Sequence, residues 1–212
     1  MINNLIIFGD SYSTYEGCIP EGYASYYAPS GESPRQMRKE ETWWQRLINA
    51  TEANLIQNNS WSGSTISYTG YAGDCTTSSF IYRYRQLKEK GFFDNNKIDT
   101  VIVFGGTNDS WVPSPLGEGK LSDWEESELF CALPAISYFM SILKRDMPYS
   151  RIVFIANCDI NPEIINFIKS AGKHFGVEVV ELHDVDKQCG HPTVLGMEQI
   201  CTQVLNSLRQ ER

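Results

Sequence analysis

The sequence predicts a three-layer α/β/α sandwich built on a five-stranded parallel sheet. Three observations predict it. Five short runs are apolar at most positions and rich in β-branched residues, the pattern of strands buried on both faces. Segments of helical periodicity alternate with them, as they do where helices cover a parallel sheet. The segments richest in Gly, Ser, Asn and His directly follow strands, at the edge where such sheets bind ligands.

The predicted strands are Leu5–Phe8, Asn54–Gln57, Thr100–Phe104, Arg151–Ala156 and Glu178–Leu182. The first predicted helix, Thr42–Ala53, sets Trp43, Leu47 and Ile48 on one face. Ile81–Lys90 is a more polar helix. Leu129–Met147 carries Leu133, Ile136, Met140 and Leu143, with Pro134 in its first turns, where proline is tolerated. Asn161–Phe175 has Pro162 at its start, and Thr193–Leu208 closes the chain. Two long connections, Ser13–Glu41 and Ser110–Glu128, run along the ligand-binding edge. Their Tyr and Trp residues suit packed loops that wall a pocket.

The chain of 212 residues, 42% hydrophobic and 21% charged, reads as one domain over 1–212. A net charge of -8 argues against nucleic acid, which demands clustered cations. The basic stretch Arg83 to Lys90 reads as a solvated helix face. Six cysteines form no CxxC pair and no zinc-finger spacing, so no metal site and reduced thiols in a reducing compartment are expected. Met1 to Phe8 has no basic leader region, and no apolar run reaches the ~20 residues that span a membrane. A cytoplasmic protein without a membrane partner is the expectation; oligomeric state stays open.

Four segments carry chemistry. Gly9-Asp10-Ser11 follows the first strand and holds a serine on a turn. Asn58 to Gly63 follows the second and offers a glycine N–H. Gly106-Thr107-Asn108-Asp109 follows the third and offers an amide donor. Gly190-His191-Pro192 precedes the last helix, with Pro192 fixing the backbone beside His191. Singly, each is as well explained by an ordinary turn. In this order, all four at strand ends, they resemble the SGNH hydrolases, also called the GDSL esterase/lipase family, over residues 9 to 192.

That resemblance implies a flavodoxin-like sandwich that hydrolyses esters without cofactor or metal. It assigns the nucleophile to Ser11, the base to His191, and the oxyanion hole to the Ser11 N–H, the Gly63 N–H and the Asn108 side chain. The chemistry agrees: a serine hydroxyl needs a neighbouring base, and histidine can take and return that proton near neutral pH. Asp10 and Asp109 are expected to hold turns. His174 and His183 read as structural.

The family pattern has Asp three residues before the histidine, where this chain has Gln188. Asp186 is the preferred partner for the His191 ring. Asp184, the Gln188 amide, and a Ser–His dyad oriented by a backbone carbonyl or water are the alternatives. Tyr12, Tyr15, Trp61, Tyr68, Tyr71 and Trp111 lie near the motifs, where aromatic rings stack on sugars or simply pack loops. The expected partner is a small acyl ester, an acylated carbohydrate in particular. Rival readings are a non-catalytic carbohydrate-binding protein on the same scaffold, a nucleotide or phosphate binder using Gly9 to Ser13, and acyl transfer by the same residues.

Overall fold

A computed structural model describes residues 2–112 and 114–209. Met1 of the N-terminal reading and Pro113 of the predicted 110–128 connection lie outside them, as do residues 210–212. The chain begins with β1 (Asn4–Gly9), α1 (Trp43–Thr51) and β2 (Asn54–Ser60), then a small hairpin of β3 (Thr69–Gly70) and β4 (Gly73–Asp74). Next come α2 (Phe80–Glu89), α3 (Phe92–Asn95), β5 (Thr100–Phe104), α4 (Thr107–Trp111), α5 (Ala132–Asp146) and β6 (Arg151–Ala156). The last elements are α6 (Pro162–Phe175), β7 (Glu178–Glu181), a second hairpin of β8 (Lys187–Gln188) and β9 (His191–Pro192), and α7 (Val194–Arg209).

The central sheet has the order β2-β1-β5-β6-β7 with every pair parallel. This is the flavodoxin-like order, whose crevice opens where chain direction across the sheet reverses, between β1 and β5. The strands alternate between two cores. Ile6, Phe8, Val101, Val103, Ile152 and Phe154 face one layer, with residues of α2, α5 and α6. Leu5, Ile7, Ile102, Phe104, Val153 and Ile155 face the other, with residues of α1 and α7. Each large side chain so buried contributes roughly 1.5–3 kcal/mol.

The five predicted strands and five predicted helices are all present. Their ends differ where polar chemistry overrides hydrophobic pattern. Helix α5 starts at Ala132 because Glu126–Phe130 forms a 3-10 turn and Cys131 is extended. Strand β2 runs past Gln57, since Asn58, Asn59 and Ser60 pair with Ile7, Phe8 and Gly9 of β1. These three polar residues are buried. Strand β2 also bulges at Ile56, where the register skips from Leu55 to Gln57.

The reading of Arg83 as solvent-facing is corrected. Its side chain is buried against the sheet edge, with only 1% of the residue exposed. It donates to the Ser78, Asn59 and Gly9 carbonyls, the Asn59 side chain and the Ser64 hydroxyl. A guanidinium carries five donors in a fixed fork, and here they gather backbone and side-chain acceptors beyond the ends of β1 and β2.

Candidate active site

Ser11 opens a short 3-10 turn, Ser11–Ser13, directly after β1. Asp10 caps that turn, its Oδ1 accepting from the Tyr12 N–H at 3.0 Å. Asn58 steadies it from β2 by donating to the Ser13 carbonyl at 2.8 Å. Gly9 is needed for closeness: a Cβ there would meet Ser13 and Ser60 at 2.6 Å. Burial pushes the Asp10 carboxyl up to about 7, above its ordinary 3.8.

His191 reaches the same point from the other end of the chain. Its Nε2 lies 3.0 Å from Ser11 Oγ, and its Nδ1 lies 3.2 Å from the Cys189 carbonyl. A carbonyl only accepts, so Nδ1 carries the proton and Nε2 offers a lone pair to the serine hydroxyl. The ring stacks on Tyr26 at 3.7 Å and 7°, with Trp111 edge-on at 5.8 Å. Burial lowers the imidazole pKa below 6.5, the Cys189 bond opposes this, and the Arg35 and Lys187 cations add to the lowering. The ring is therefore a neutral base at pH 7.

The β8–β9 hairpin aims this histidine. Cys189 and Gly190 form its two-residue turn with φ of 50° and 78°, both left-handed, as a type I′ hairpin requires. Tyr12 donates its hydroxyl to the Gly190 carbonyl, and Tyr27 donates to the Pro192 carbonyl at 2.8 Å. Lys187 ties the hairpin to the segment after β6, donating to Asn157 Oδ1 at 3.0 Å and to the Cys158 carbonyl at 3.1 Å.

Asp186 is not brought to the ring. Its carboxylate accepts from the Thr193 hydroxyl, its N–H donates to Gln199 Oε1, and its carbonyl lies where a Cβ on Gly196 would be. The backbone at Asp186 rests on the first turn of α7, which directs the carboxylate to that helix. Gln188 accepts from Ser33, and Asp184 pairs with His183 at the surface. Of the alternatives weighed for Nδ1, the backbone carbonyl is the one in contact.

The three groups expected to form the oxyanion hole follow the carboxyl ends of β1, β2 and β5. Neither the Ser11 nor the Gly63 N–H has a protein acceptor among the described residues. Asn108, on α4, donates from Nδ2 to the Ser64 carbonyl at 2.9 Å and accepts from the Tyr71 hydroxyl at 3.1 Å. Asp109 accepts from the N–H groups of Ile66 and Ser67, both at 2.9 Å, and so fixes the loop beyond Gly63. Together these groups can deprotonate a hydroxyl, attack a carbonyl carbon and hold the resulting oxyanion. Sequence reading missed Tyr12, Tyr27 and Arg83 as organisers. Their signal is position alone: Tyr12 beside Ser11, Tyr27 in the long connection after it, and Arg83 on helix α2.

Among the described residues no cluster of His, Cys, Asp or Glu has the makings of a metal site. No described helix is long and apolar enough to cross a membrane.

Residues 3–208 match the model of the GDSL-like lipase/acylhydrolase family. A solved structure from Bacteroides ovatus, described as a GDSL-like lipase, is 34% identical, covers 100% of both chains and superposes with a TM-score of 0.91. A second, from Bacteroides uniformis, is 37% identical over 98% of this chain and 95% of that one, with a TM-score of 0.87. A family two carbohydrate esterase from Cellvibrio japonicus shares the fold at 17% identity and a TM-score of 0.65, over 98% of this chain and 61% of that one. Among curated proteins, none matches.

Proposed function

Since the chain belongs to the GDSL-like lipase/acylhydrolase family, we propose that it is a serine esterase cleaving small, acetyl-type acyl esters through an acyl-enzyme on Ser11. The observation that carries this reading is the 3.0 Å approach of His191 Nε2 to Ser11 Oγ. Ser11 Oγ attacks the ester carbonyl carbon as its proton passes to Nε2. The carbonyl electron pair moves to oxygen, and the Ser11 N–H, the Gly63 N–H and Asn108 Nδ2 hold the oxyanion. Collapse breaks the bond to the alcohol, which leaves with the proton from Nε2. Water then repeats the sequence on the acyl-serine and frees the acid.

The pair works as a dyad. The Cys189 carbonyl fixes the tautomer, as a carboxylate would, but places no full negative charge beside the imidazolium. Acylated carbohydrate is the substrate class we favour. Tyr71 and Trp111 are exposed by 63% and 39% beside the site, and such rings can stack on sugars. The fold shared with the carbohydrate esterase supports this only at the level of architecture.

The test is hydrolysis of p-nitrophenyl acetate, butyrate and palmitate, and of an acetylated xylo-oligosaccharide. Ser11→Ala and His191→Ala should each lose about 10³-fold or more in kcat with acetate. Activity surviving in Ser11→Ala overturns the nucleophile. Preference for palmitate overturns the short-acyl reading.

A further inference from the structure

Tyr71 is a surface aromatic with one buried engagement. It stands in the two-residue tip of the β3–β4 hairpin, between Gly70 and Gly73, and 63% of it is exposed. Its hydroxyl nevertheless reaches Asn108 Oδ1 at 3.1 Å, while Asn108 itself is buried. The same ring lies 4.0 Å from where a Cβ on Gly63 would be. Tyr71 thus bridges the glycine and the amide that supply two of the three oxyanion donors.

The direction of the bonds is fixed by chemistry. An amide can be turned either way, but the Ser64 carbonyl can only accept, so the end of Asn108 that faces it is the NH₂. The far end is then the amide oxygen, and the Tyr71 hydroxyl must be the donor. Burial and the Asp10 charge raise the phenol pKa, which keeps that proton in place at ordinary pH. One Nδ2 hydrogen goes to Ser64, and the other stays free for the oxyanion. Donation into an amide oxygen also polarises its N–H groups and makes them better donors. The hairpin that carries Tyr71 is itself anchored: the Thr69 hydroxyl donates to the Phe130 carbonyl, and the Tyr68 N–H donates to the Leu129 carbonyl.

We propose that Tyr71 is a positioning residue for the oxyanion hole, setting the rotamer of Asn108 and sharpening its Nδ2 donor through the hydroxyl bond to Oδ1. The role rests on the esterase reading, because it acts on that reaction's charged intermediate. It predicts a transition-state effect with little change in ground-state binding.

The experiment is a double-mutant cycle on p-nitrophenyl acetate, joined to NMR of the Asn108 side-chain amide. Tyr71→Phe should lower kcat about 10-fold, by losing a hydrogen bond of ordinary net strength, with KM within about twofold. Asn108→Ala should lose about 10²–10³-fold. The double variant should lose no more than Asn108→Ala alone, since Tyr71 acts through that amide. Full kcat in Tyr71→Phe, or multiplicative losses in the double variant, overturns the proposal. The amide signals, identified by their disappearance in Asn108→Asp, should shift in Tyr71→Phe. That readout needs no turnover. Unmoved signals overturn the positioning role even if the esterase reading stands, whereas an inactive wild type with shifted signals counts against the esterase reading alone.

Discussion

A carboxylate beside a catalytic imidazole does two jobs, holding the ring and stabilising its positive form, and His191 has other groups for the first. The Cys189 carbonyl sets its tautomer and the Tyr26 face sets its plane. Asp186→Asn should therefore leave kcat within about twofold on p-nitrophenyl acetate, because its carboxylate serves Thr193. The histidine must be neutral to accept the serine proton, and its pKa lies below 6.5. The kcat/KM profile should rise with pH to a midpoint below 6.5 and then level. Arg35→Gln removes a cation that disfavours the imidazolium, so its midpoint should move upward in the same titration. The approach of Ser11 and His191, and the placing of Gly63 and Asn108 just beyond strands, were legible because the proposed reaction needs those residue types at strand ends. The orienter of His191 was not, because a main-chain carbonyl has no letter in the sequence. Asp186 attracted notice by spacing alone, and spacing cannot tell which way a side chain turns when the backbone beneath it is packed on a helix.

At the level of elements, the β8–β9 hairpin and helix α2 decide where the reacting groups lie. The hairpin is too short to make a hydrophobic pattern, and only Gly190 hinted at a turn. Helix α2 was legible as a helix, yet its polar sequence pointed Arg83 the wrong way. Charge normally marks the wet face, and here the strand-end carbonyls of Gly9 and Asn59 reverse that rule. Burial draws the Arg83 pKa down to about 9, so the side chain remains a cation at neutral pH. Arg83→Met should destabilise the fold by about 2–4 kcal/mol in urea unfolding, because it takes the donor from the buried Asn59 side-chain oxygen and removes one bond each from the Gly9 and Asn59 carbonyls. Turnover should fall as well, since Gly9 and Ser64 border the nucleophile and Asn108.

Across the whole molecule, the alternation of strand and helix was the most legible feature. Thr100–Phe104 and Arg151–Ala156 are buried on both faces, so packing and propensity agree there. The buried polar end of β2 was illegible for the opposite reason. Asp10 bears on global stability. Its pKa is about 7 in the fold against 3.8 for an ordinary carboxyl, so between those values the folded state binds the extra proton. Its contribution is complete below about pH 3.8 and is lost as pH rises toward 7. In thermal unfolding, Asp10→Asn should flatten this part of the pH dependence, with its largest relative gain in Tm above pH 7.

In the proposed mechanism, the two atoms that begin the chemistry belong to residues 180 apart in the chain. A nascent polypeptide that ends at Gly190 already holds the serine and the residues of the oxyanion hole, but no base. On the proposed mechanism, no truncated product that stops short of His191 can cut esters. The entropy of joining such distant segments grows only logarithmically with the loop between them. During translation in a cell-free system, ester cleavage should begin only after residue 191 has left the ribosome and the hairpin has docked against Tyr12 and Tyr27.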